Sequence, residues 1–101
     1  MPRQARLDAP GTLHHIMIRG IEGREIFHDD QDRGAFVSRI TKLVRETGTR
    51  ILAWVLMSNH VHFLLFSGHQ GIAEFMRRLL TGYALEYNRR HRRSGHLFLN
   101  R

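Results

Sequence analysis

Residues 51–66 read ILAWVLMSNHVHFLLF, and this stretch decides the fold. Ile51 to Met57 is apolar almost throughout and carries the β-branched and aromatic side chains that suit a pleated surface. Ser58-Asn59 is a two-residue turn, and His60 to Phe66 is a second strand, so the three pieces form a hairpin. Alternate side chains of a strand share a face. Val61, Phe63 and Leu65 therefore point one way, towards whatever covers the sheet, while His60 and His62 point to the uncovered side.

The flanks supply the cover. Leu13 to Arg19 follows the Pro10-Gly11 turn signal and reads as a strand ended by Gly20, with Leu13, His15, Met17 and Arg19 on one side and His14, Ile16 and Ile18 on the other. Asp29 or Asp30 can cap a helix from about Gln31 to Thr47, closed by Gly48, whose apolar face is Phe36, Ile40, Leu43, Val44 and Thr47. A second helix runs from beyond Gly71 to about Arg92, with Ile72, Phe75, Met76, Leu79, Leu80, Tyr83 and Tyr87 on one stripe. Ser94-Gly95 ends it, and His96 to Arg101 reads as the opening of a last strand. The order β-α-β-β-α-β is that of an α+β, ferredoxin-like split sheet with both helices on one face. At 101 residues there is room for one domain, spanning 1–101.

Composition narrows the function classes. No apolar run approaches the roughly 20 residues that span a bilayer, so no membrane partner is expected. The N-terminal segment lacks the apolar core of a secretory signal, which makes a cytoplasmic setting the expectation. Without cysteine, any metal must be held by imidazole, carboxylate or amide groups. The net charge is +7, and fifteen of the sixteen basic residues are arginine, whose planar fork grips phosphate through paired hydrogen bonds. Between Arg77 and Arg101 there are seven arginines and one acid, Glu86. A polyanion is the expected partner.

His60 and His62 carry the chemistry. Two residues apart in a strand, their Cα atoms are roughly 6–7 Å apart on one face. Leaning together, two imidazoles can share one ion at about 2.1 Å each. Alone, a His-x-His strand is more often a pair of half-exposed histidines. The hairpin position and the arginine-rich C-terminal part favour a metal site.

The run Ala53-Trp54-Val55-Leu56-Met57-Ser58-Asn59-His60-Val61-His62-Phe63-Leu64-Leu65 closely resembles the HUH strand pair of the REP-associated tyrosine transposases and their small insertion-sequence relatives. His15 through Gly20 with Ile26-Phe27 resembles that family's first strand and loop. Tyr83-Ala84, Asn88 to His91 and Ser94 to Phe98 resemble its second helix and following turn. The resemblance implies a transposase domain that binds single-stranded or hairpin DNA, with His60 and His62 holding Mg2+ or Mn2+. It implies cleavage and rejoining of a strand through a 5′-phosphotyrosine link. The metal would withdraw charge from the scissile phosphate, which a phenol with a pKa near 10 needs in order to attack at neutral pH. The family's nucleophilic tyrosine, and a polar residue that completes the metal site, lie beyond the strand that begins near His96. They map onto no residue of this chain, so the resemblance implies a domain incomplete at its C-terminus. A homodimer is left open.

Tyr83 and Tyr87, the two tyrosines present, lie on the apolar stripe and read as packing residues. Arg19, Arg89, Arg90, Arg92 and Arg93 are the candidate DNA contacts, although a solvated helix end explains the last four about as well. His15 shares the side of Arg19 and borders the site, with a structural role favoured. Trp54 reads as a hairpin packing residue. Two further readings are a nucleic-acid-binding remnant without chemistry and a phosphoesterase that uses water.

Overall fold

The computed structural model describes residues 9–99. The N-terminal residues 1–8, read above for a signal, and residues 100–101, the end of the expected last strand, lie outside them.

Three strands and two long helices alternate along the chain: β1 (Leu13–Arg19), α1 (Asp30–Thr47), β2 (Arg50–Leu56), β3 (His60–Phe66) and α2 (Gly71–Arg90). A single 3-10 turn, Ile21–Gly23, follows β1. The sheet is antiparallel in the order β1-β3-β2. β1 and β2 are consecutive but not adjacent, because α1 crosses over the sheet and leaves the slot that β3 fills.

Local chemistry sets the helix ends. The Asp29 side chain accepts the Asp32 amide at 3.0 Å, giving α1 its N-cap. Gly48 closes α1 in the left-handed region, at φ 77°, and its N–H bonds the Val44 carbonyl. Each helix turns one stripe inward: Phe36, Ile40, Leu43 and Thr47 from α1, and Phe75, Leu79, Tyr83 and Tyr87 from α2. These meet Val61, Phe63 and Leu65 of β3, all fully buried, and Ile18 of β1. Both helices therefore lie on one face, as the alternation in β3 requires. Aromatic edges lock the centre, with Phe36 against Tyr83 at 5.1 Å and 88° and against Phe27 at 5.2 Å and 77°.

β2 takes the edge position that a ferredoxin-like split sheet gives it, and its apolar run leaves Leu52, Trp54 and Val55 each at least 40% exposed. A register irregularity between Ile51 and Ala53 kinks it, a common way of blunting a free edge. The last strand appears, among the described residues, only as the bridge between Gly20 and Phe98. The Ile21 amide bonds Leu97 O at 2.8 Å, and the Leu99 amide bonds Arg19 O at 2.9 Å. This places residues 97–99 on the outer edge of β1, where the fourth strand of a split sheet belongs.

Candidate metal centre and nucleic-acid surface

His60 and His62 project from β3 onto the face without helices, opposite Arg19 and Met17 of β1. Both are half-buried. Their ring centres are 5.1 Å apart with planes at 83°. Two imidazoles bound at about 2.1 Å to one ion, at angles of roughly 90–110°, have ring centres about 4.6–5.3 Å apart. The observed separation fits a shared ion. The donor set also bears on which ion: imidazole nitrogen suits the later divalent transition metals and Mn2+ better than Mg2+, which prefers oxygen. Among the described residues no group of three or more histidines, aspartates or glutamates is placed to hold a metal. The pair can therefore supply two ligands, with the rest of the shell left to water, phosphate oxygen or another segment.

The His60 ring is oriented. Asn59 Nδ2 donates to Gly23 O at 3.4 Å, which turns Asn59 Oδ1 towards His60 Nδ1 at 2.8 Å. A carbonyl oxygen only accepts, so Nδ1 carries the proton and Nε2 keeps its lone pair for a metal. The turn holding Asn59 is braced in its own right. Ile26 and Phe27 both donate their amides to Ser58 O, at 2.8 and 3.2 Å, and the Gly20 amide bonds Asn59 O at 3.0 Å. Loop 20–27 thus fixes where His60 leaves the hairpin. Arg19, exposed at the end of β1, and Glu22 line the hollow beside His60 with Asn59 and Leu99.

The arginines expected to contact DNA divide. Arg89 and Arg92 are exposed. Arg92 holds φ 53°, a left-handed conformation that costs a non-glycine residue about 1–2 kcal/mol. Arg93 is half-buried and ties the chain after α2, donating to Asn88 Oδ1 at 2.9 Å and His96 O at 3.0 Å. Arg90 corrects the expectation of one solvent-facing cluster. Its guanidinium donates to Asp32 Oδ1, Nε at 3.0 Å and Nη2 at 2.5 Å, and so serves the fold.

Asp32 is the centre of a polar network that sequence reasoning missed. Its fully buried carboxylate accepts the His28 amide at 2.9 Å, His91 Nε2 at 3.0 Å and Arg90. Burial alone would raise its pKa; the hydrogen bonds from His28, His91 and Arg90 together outweigh burial and hold it below the ordinary carboxylate range. Beside it, His28 Nε2 lies 2.5 Å from Tyr87 Oη while His28 Nδ1 meets Glu25 Oε1 at 3.1 Å. Tyr87 is fully buried, as is Tyr83, whose hydroxyl donates to Ile26 O at 2.5 Å. Burial pushes the Tyr83 phenol far above its usual value. Both tyrosines lie under the helices, away from the histidine face. The one sequence cue to this network was the acidic first turn of α1, which also serves as an ordinary helix start.

Comparison with known proteins agrees with this architecture. The pattern of the family described as "Transposase IS200 like" matches residues 10–100. A solved REP-associated tyrosine transposase, bound to a REP hairpin, superposes with a TM-score of 0.75 at 16% identity, over 93% of this chain and 55% of that one. A candidate transposase from Deinococcus radiodurans R1 superposes with a TM-score of 0.62 at 18% identity, over 78% of this chain and 61% of that one. This chain therefore spans less than two thirds of either relative's length. None of the curated proteins matches the sequence.

Proposed function

The chain belongs to the IS200-like transposase family, and from that premise we propose that it is a domain that binds hairpin or single-stranded DNA and holds a divalent ion between His60 and His62. The observation that carries the proposal is the 5.1 Å separation of those two rings on the helix-free face, with the His60 tautomer set by Asn59. Mn2+ is the preferred ion, Mg2+ the weaker one.

When bound, the ion would draw charge from a phosphate oxygen and so favour attack on phosphorus. The chain's own groups do the rest. Asn59 keeps His60 Nε2 available, and Arg19 at the rim of the same hollow offers its guanidinium to a neighbouring phosphate. Arg89, in the last turn of α2, and Arg92, just beyond its end, are both exposed and add positive charge along the strand's path. A side chain kept in a left-handed backbone conformation, as Arg92 is, suits a functional role.

Strand cleavage and rejoining through a 5′-phosphotyrosine belongs, in this proposal, to the intact transposase. Tyr83 and Tyr87 are fully buried and do not serve as its nucleophile. Their burial also favours the second reading for the chain by itself, a nucleic-acid-binding unit without strand transfer. The REP hairpin held by the structural relative makes a hairpin the first DNA to try. No described helix is long and apolar enough to cross a membrane, and work on cellular DNA suits a cytoplasmic setting.

Calorimetric titration with MnCl2 and a gel-shift titration with a DNA hairpin test the proposal together. His60→Ala should abolish Mn2+ binding while leaving a salt-steep hairpin shift. Unchanged Mn2+ affinity in His60→Ala and His62→Ala would overturn the metal reading. Hairpin binding indifferent to salt would overturn the phosphate contacts.

A further inference from the structure

Asn59 orients His60, but His62 has a different neighbour. Among the described residues, the His62 ring is contacted by other rings: His60 edge-on, and His15 of β1 stacked on it at 5.6 Å with planes 13° apart. In the β1–β3 register His62 faces Met17 and His15 faces Leu64, so His15 and His62 are diagonal neighbours on the helix-free face, within reach for ring side chains.

We propose that His15 is a positioning residue of the metal centre, a flat platform that holds the His62 imidazole in its ion-binding orientation. The proposal rests on the reading of His60 and His62 as ligands. The His15 and His62 planes lie within 13° of parallel, whereas the His60 and His62 planes are nearly perpendicular, so the two neighbours meet His62 differently. The absence, among the described residues, of any metal-holding group of three agrees with this division.

His15 is also free of a core role. It is exposed, whereas its neighbours His14 and Ile16 turn towards the helices, so replacing it leaves the buried cluster untouched. What it lies beside is the His62 ring, 5.6 Å away between centres. A metal ligand that loses its orienting neighbour samples rotamers that do not point at the ion, and affinity falls by the fraction of time spent there.

The test uses the whole chain as wild type, His15→Ala, His15→Phe and His60→Ala. Mn2+ affinity is read by calorimetry at one pH, and the His62 ring protons are followed by NMR in the metal-free protein. Phenylalanine keeps a flat ring and removes the nitrogens. His15→Ala should weaken Mn2+ binding about tenfold and His15→Phe by less than about threefold. The His62 ring protons should shift on His15→Ala, as the stacked ring current is lost, and stay near their wild-type positions in His15→Phe. Wild-type affinity in His15→Ala, with binding still lost in His60→Ala, would overturn this proposal alone. So would His15→Phe binding as weakly as His15→Ala, since the nitrogen rather than the ring would then matter. No Mn2+ binding by the wild-type chain would overturn both readings.

Discussion

Arg90, in the last turn of α2, reaches the fully buried carboxylate of Asp32 in the first turn of α1, Nη2 to Oδ1 at 2.5 Å. The contact joins two helix ends 58 residues apart and neutralises a carboxylate that would otherwise be stranded in the core. His91 and the His28 amide complete its shell, so loop 20–28, α1 and α2 meet at one atom group.

Removing either partner should therefore unfold the domain more readily. Asp32→Ala leaves Arg90 and His91 without their acceptor and should lower stability by about 3 kcal/mol, read as a shift of the urea midpoint at pH 7. Arg90→Gln should do similar damage, because the carboxylate stays buried without its cation.

The same carboxylate gives an acid limb. Its folded pKa is depressed, so its contribution is complete above the unfolded carboxylate value of about 3.9 and disappears as pH falls through the lower folded value. Chemical denaturation between about pH 5 and pH 2 should show wild type losing more stability than Asp32→Asn. Parallel curves would rule out Asp32 as the source.

Arg89 and Arg92 should behave differently from Arg90. The double replacement Arg89→Gln, Arg92→Gln should leave the urea midpoint within about 0.5 kcal/mol of wild type. It should weaken hairpin binding and reduce the slope of log affinity against log salt by about 1.8, if each arginine neutralises one phosphate. A salt titration of hairpin affinity checks this.

Asn59→Ala removes the acceptor that sets the His60 tautomer. Mn2+ affinity should fall by about tenfold with a stability change of at most about 1 kcal/mol. Equal affinity in calorimetry would mean that His60 orients itself.

Gly20→Ala tests the brace behind the hairpin. A Cβ there would sit 2.1 Å from Arg24 O and 3.1 Å from Ile26 Cγ2, so loop 20–27 would have to move. Thermal unfolding should show a loss of about 1–3 kcal/mol.

Much of the fold was legible because its signals are local. Alternation in Val61, Phe63 and Leu65 marks the helix-facing side of β3, and the four-residue spacing of Phe75, Leu79, Tyr83 and Tyr87 marks the buried stripe of α2. The helix limits followed from Asp29 and Gly48. Composition said less: an apolar run does not show how much of a strand stays open, and β2 leaves Leu52, Trp54 and Val55 exposed at the sheet edge. A run of arginines does not say which of them an acid elsewhere in the chain will claim.

By itself the sequence determined the elements, their order and the shared face of His60 and His62, because backbone period and side-chain alternation act over a few residues. Only the tertiary structure decided that Arg90 belongs to Asp32, that Tyr87 is sealed beneath loop 24–28, and that His15 lies against His62. Those contacts need strand register and helix crossing, which bring distant residues together only once the core has closed.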